Sequence, residues 1–134
     1  MELKKSYRGF VILMLIFVAV LMGVALLPIR DGGLLTRLIM VWTAAFLALL
    51  SWQIWRTEQV YWYNGTEYED AVAAGSERRK RFAWRHFRVF GIFALGMLAF
   101  CGLMQLLSAP FWVDIVVGSV GLIVAAFCTI GIRL

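Results

Sequence analysis

Asp114 lies four residues into the apolar run 111–132, and no other acid falls inside a long apolar run of this chain. A carboxylate in such surroundings is costly unless paired or hydrated, so it marks a structural ion pair or a functional site. Arg37, near the start of the run 34–55, is the matching cation, and Gln105, near the end of the run 89–107, offers an amide to join them. Helical spacing sets each polar group at the head of a stripe. Asp114, Gly118, Gly121, Ala125 and Cys128 form one; Arg37, Val41, Ala44, Ala48 and Ser51 a second; Gly91, Ala94, Leu98, Cys101 and Gln105 a third. Small residues on such stripes let helix backbones approach closely, so these are expected seams of a bundle. The cluster suits a structural or hydrated pair, an ion or substrate path, or contact with another membrane subunit. A proton or cation path usually needs more than one buried acid, and the other halves of these runs offer no second acid and, as hydroxyls, only Thr43, Ser51 and Thr129.

The second constellation is a basic helix. Arg78, Arg81, Arg85 and Arg88 recur at steps of three, four and three, with Ala83, Phe87 and Phe90 roughly opposite and Trp84 at the margin. An amphipathic cationic helix of this kind suits anionic lipid headgroups or an acidic partner. The same charges also serve simply to orient the chain in a bilayer. His86 stands among them without a matched ligand, and neighbouring arginines disfavour its protonated form.

Recognisable catalytic patterns are missing. The sequence contains no Ser–His–Asp grouping, phosphate-binding loop or dinucleotide glycine pattern, so no catalytic or cofactor-binding residue is assigned. One histidine cannot make a metal site by itself, and Cys101 and Cys128 lack zinc or haem spacing. At the helical rise their depths differ by roughly 10 Å, too far for a disulfide. Both are expected to be small packing residues.

The elements that position these groups follow from composition. Of 134 residues 63% are apolar and 16% charged, against about 45–50% and about 25% in soluble domains. Four runs, 9–28, 34–55, 89–107 and 111–132, each approach or exceed the roughly 20 residues that cross a bilayer. The first is longer than a signal-peptide core and ends in Leu-Leu-Pro without a clean cleavage site, so it is read as a retained helix. Trp52, Trp55, Tyr61, Trp62 and Tyr63 form an aromatic belt of the kind found at headgroup level.

The polar segment 56–88 separates the two pairs of runs. Nothing between Arg56 and Tyr63 breaks a helix, so the second helix is expected to continue to about residue 63 and stop at Asn64-Gly65. A β-hairpin turning at Asn64-Gly65 is the alternative. Thr66 and Glu69 are spaced as a capping box for a new helix. Gly75-Ser76 should interrupt that helix, with Ser76 capping the next. Asn64-Gly65-Thr66 also matches a glycosylation sequon, discounted because the segment is expected in the cytoplasm.

The net charge of +5 does not imply nucleic-acid binding, because seven of thirteen Lys and Arg residues fall in 56–88, beside the apolar runs. Three more lie before residue 9 and one at 133, leaving only Arg30 and Arg37 for the opposite side. The positive-inside rule therefore places both termini and 56–88 in the cytoplasm of a multi-pass cell-membrane protein. The expected fold is all-α: one membrane domain over 1–134, a four-helix antiparallel bundle with cytoplasmic helical extensions. The expected function is that of a non-enzymatic accessory or interaction protein, partnered by anionic lipid headgroups and by a second copy or another membrane subunit. A small transporter or channel subunit using Arg37, Gln105 and Asp114 is the alternative.

Overall fold

The computed structural model describes residues 2–63 and 65–134. Four helices dominate: α1 (Arg8–Ala25), α2 (Gly32–Thr57), α3 (Tyr68–Leu106) and α4 (Phe111–Ile130), with a single 3₁₀ turn at Val60–Trp62. Each of the four is long and apolar enough to cross a membrane. α2 is central, packing on α1, α3 and α4.

α1 is apolar on every side and none of its residues is buried. It ends at Ala25 rather than near 28: Leu26 is the C-cap and keeps a helical backbone, and Leu27, directly before Pro28, is disfavoured in that region. It leans on α2 through Phe17, whose ring lies 4.4 Å from that of Phe46 and whose carbonyl accepts the Trp42 indole N–H at 3.3 Å. α2 starts sharply because the Asp31 side chain accepts from the Gly33 and Leu34 amides, at 2.9 and 3.2 Å. That N-cap satisfies two of the donors a helix start leaves open.

The second helix does not reach residue 63. α2 stops at Thr57, and Glu58 takes the left-handed conformation at φ 59°. A non-glycine residue there costs roughly 1–2 kcal/mol, so something beyond local sequence must hold it. Residues 60–62 form the 3₁₀ turn and not a hairpin strand. The proposed stop at Asn64 lies outside the described residues, while Gly65 does adopt a positive φ of 85°. The capping box is also not formed. Glu67, not Thr66, is the N-cap residue of α3, and it makes no side-chain cap bond. Thr66 therefore sits one position too early to reach the first turn.

Gly75 breaks α3 as expected, with φ 76° and ψ 163° inside an otherwise continuous helix. The chain then runs helically through Leu106. At the far end Ser108 adopts φ 52° in the turn before Pro110, and α4 follows immediately.

Packing occurs in two places. Midway along the bundle Ala44, Met97 and Cys101 form a core with Met40, Val41, Phe93 and Ala94 around it. On α3 the residue facing inward is Met97; Leu98, assigned to the seam from its spacing, is exposed. Positions three and four beyond Ala94 flank the same face, and Met97 takes it by reaching over Gly118. Cys128 is exposed, so the α4 seam ends at Ala125. At the other end Leu3, Ile54, Val60, Tyr61, Ala71, Phe82 and Ala83 form a larger core, joined by Ile132 and Leu134. Both ends of the chain are thus drawn to one end of the bundle. The Tyr61 hydroxyl donates to the Ser6 carbonyl at 2.9 Å and Tyr68 to the Leu3 carbonyl at 2.7 Å.

A Cβ on Gly118 would collide with the Met40 methyl and come within 3.2 Å of the Met97 methyl. Gly118→Leu should therefore destabilise the bundle by about 1–3 kcal/mol, the usual range for overpacking. Thermal unfolding in detergent checks this, and Met40→Ala added to the variant should recover part of the loss.

Candidate functional site

The three residues at the heads of the stripes meet. The Arg37 Nε–H donates to Asp114 Oδ2 at 3.0 Å, and Nη2 lies 2.9 Å from the same oxygen. Nη1 donates to Gln105 Oε1 at 2.7 Å and Nη2 to the Ala109 carbonyl at 2.6 Å. One guanidinium thereby links α2 to α3, to the turn after it and to α4. Arg37 is 5% exposed and Asp114 fully buried. The planar fork of arginine suits this arrangement, since several rigid donors point outward at once.

Local structure prepares each partner. Asp114 lies in the first turn of α4, where unpaired amide N–H groups favour a negative charge. The turn at Ser108 aims the Ala109 carbonyl inward. Asp114 Oδ1 is buried and has no hydrogen-bond partner among the described residues, although the Cys101 thiol is near enough to interact with the carboxylate. Among the buried oxygen and nitrogen atoms of the cluster, this one lacks an oxygen or nitrogen partner within the described residues.

A second buried charge cluster sits at the opposite end of α2, and sequence reasoning missed it. Arg79 Nε and Nη2 donate to Glu58 Oε2 at 3.1 and 2.8 Å, while the Ser76 hydroxyl donates to Oε1 at 2.8 Å. Arg79 Nη1 also donates to the Ala71 carbonyl at 2.9 Å, and the Lys80 ammonium lies 3.6 Å from Oε1. Glu58 is 1% exposed and Arg79 4%. Burial works against the Glu58 carboxylate, yet the bonds from Ser76 and Arg79 and the charges of Arg79 and Lys80 outweigh it. They hold its pKa below the ordinary 4.5. These contacts also account for the left-handed backbone at Glu58: the side chain is fastened to α3, and the backbone follows. Spacing could have revealed Arg79, because Arg79, Phe82, Ala83 and His86 share one helix face.

That face corrects the expected division of the basic helix. The buried side carries Arg79, Phe82, Ala83 and His86, with Phe87 only partly covered. His86 is a packing residue, stacked on Tyr63 at 4.2 Å and bonded through Nδ1 to the Phe82 carbonyl at 3.0 Å. Arg78, Arg81, Arg85 and Arg88 are exposed. The first three line a cavity of about 220 Å³ together with Phe82, Arg133 and Leu134; Arg88 lies outside it. Arg81 is paired with Glu77 at 2.8 Å. Arg78, Arg85 and Arg133 have no hydrogen-bond or ion-pair partner among the described residues.

Breaking one side of the Arg37–Asp114 pair strands the other charge, which costs more than losing both. Arg37→Leu and Asp114→Leu should each lower the thermal midpoint in detergent, on the order of 5–10 °C, and the double variant should recover part of that. Strict additivity in this cycle would show that the two are not coupled.

Glu58 predicts an acid limit. A carboxylate whose pKa is lowered by folding stabilises the native state above its unfolded pKa, and that contribution is lost as pH falls through the folded value. The thermal midpoint should hold from pH 7 to about 5 and fall below about 4.5. Glu58→Gln should lower the neutral-pH midpoint and flatten the acid slope.

Comparison with protein families, curated proteins and solved structures finds no match for this chain, so its functional reading rests on the geometry above.

Proposed function

We propose that the chain is a small integral membrane protein with four antiparallel spans, acting without catalysis as an accessory or interaction protein. Both termini and residues 56–88 face the cytoplasm. The apolar outer surface supports a bilayer setting: Leu95, Leu106 and Phe127 are 69%, 84% and 69% exposed, which water would penalise and lipid would not. The orientation rests on charge. Ten of the thirteen Lys and Arg residues lie before residue 9 or between 56 and 88, and Arg37 at the other end is neutralised by Asp114.

One contrast carries the functional reading. Inside the bundle each buried charge is paired with an opposite one and a single carboxylate oxygen of Asp114 lacks a hydrogen bond, whereas Arg78, Arg85 and Arg133 are exposed and have no partner among the described residues. A protein that worked through its interior would leave interior groups available. This one leaves its basic surface available, for anionic headgroups or an acidic region of a partner. The exposed apolar faces of α1 and α4 are free to pack against a second copy or another membrane subunit.

The open Oδ1 of Asp114 favours a second reading, a transporter or channel subunit in which that oxygen receives a cation or proton.

Three measurements test the orientation and separate these readings. Single cysteines at Glu67 and Ser108, in a Cys101→Ala, Cys128→Ala background, should react with an impermeant maleimide from opposite sides, Ser108→Cys from outside intact cells. In native membranes, photo-activatable side chains at Leu95 and Arg85 should crosslink to a discrete membrane partner or second copy. Liposomes of the purified protein should show no specific solute flux. Flux abolished by Asp114→Asn would overturn the accessory role in favour of transport, and labelling of Glu67→Cys from outside would overturn the orientation.

A further inference from the structure

The basic end holds a shaped recess as well as charge. Arg78, Arg81 and Arg85 project from α3, and Arg133 reaches them from the segment after α4. The resulting cavity of about 220 Å³ adjoins a larger groove of about 1040 Å³, and the two share Arg78, Phe82, Arg133 and Leu134. The larger groove runs between α3 and α4 along Phe82, Phe90, Ala126 and Ile130, with Asp70 as an acidic side chain of its lining. An anion-sized basic recess therefore opens directly onto a groove of mixed lining, polar at Tyr63, Thr66, Asp70 and Thr129 and apolar along Phe82, Phe90, Ala126 and Ile130.

From this geometry we infer a specific site for one anionic phospholipid. Its phosphodiester headgroup sits among Arg78, Arg85 and Arg133, and an acyl chain lies along the α3–α4 groove. The ligand must be amphiphilic because the site is. Arginine forks suit phosphate oxygens, which accept two parallel N–H bonds from one guanidinium. Basic pockets between helices at the cytoplasmic side are a known way of holding such headgroups. Unpaired guanidiniums from two elements would repel one another at close quarters, and a bound phosphate relieves that. Arg81 contributes less, since Glu77 already holds it. The inference rests on the membrane setting proposed above and names a ligand for the same basic face.

Native mass spectrometry of the full chain in neutral detergent tests the site. The probes are phosphatidylglycerol, phosphatidylcholine and inorganic phosphate. One phosphatidylglycerol should be retained at least about tenfold more tightly than phosphatidylcholine. The triple variant Arg78→Gln, Arg85→Gln, Arg133→Gln should lose that preference, with a loss of about tenfold or more. These residues are exposed and have no bonding partner among the described residues, so helical content should not change. Ala126→Trp, which obstructs the groove, should weaken lipid retention while leaving all the arginines in place. A control, Arg30→Gln with Arg56→Gln, should retain the lipid as the parent chain does.

Equal retention of the two lipids, or an unaltered triple variant, would overturn the site. An equal loss in the control would overturn it in favour of diffuse attraction. Inorganic phosphate bound at least as tightly as the lipid, and insensitive to Ala126→Trp, would overturn the lipid as occupant. Because the measurement is made in detergent, its failure is distinct from failure of the orientation, which the maleimide labelling reads separately.

Discussion

α2 is held at both ends by a buried ion pair, and the placement of α3 and α4 follows from those two attachments. At one end Arg37 gathers Asp114, Gln105 and the Ala109 carbonyl. At the other Glu58 gathers Ser76 and Arg79. The first pair joins residues 77 positions apart and the second residues 21 apart, so they close one long loop and one short one. The helices between present mostly apolar surface, which supplies little directional information. Charged groups with fixed donor geometry supply it instead, because an unmatched partner in such surroundings is severely penalised.

The two ends differ in what they leave open. Near Asp114 one carboxylate oxygen lacks a partner among the described residues, but every nitrogen of the guanidinium opposite it is engaged. At the Glu58 end the buried charges are satisfied and the open groups lie outside, on Arg78, Arg85 and Arg133. Seen from the surface, Arg79 and its neighbours do opposite things from adjacent positions on one helix. Arg79 turns inward and fixes the backbone, while Arg78 turns outward and stays available. A helix with arginines on both faces can thus anchor itself and display charge at once.

Glycine and methionine set the middle of the bundle. Gly118 makes room for Met40 and Met97, and the flexible thioether chains fill the space between α2, α3 and α4. Close approach there shortens the reach that Arg37 needs. Packing and ion pairing therefore support each other, and loss of either should be felt at the other.

Much was legible in the sequence because the relevant constraints were strong and periodic. Four long apolar runs dictate four helices, and a lone acid in one run demands a cation from another; helical spacing then nominates Arg37 and Gln105. Gly75 likewise announces its break, since few other residues tolerate that backbone. The end of α2 was not legible. Local signals favoured continuation to Asn64-Gly65, and such preferences amount to tenths of a kcal/mol per residue. Capture of Glu58 by residues 18 and 21 positions later outweighs them and forces a left-handed turn. The inward turn of Arg79 and the arrival of Arg133 beside Arg78 and Arg85 were decided the same way. Which arginine is buried, and which are brought together, depends on where distant helices come to rest, and only the folded chain sets that.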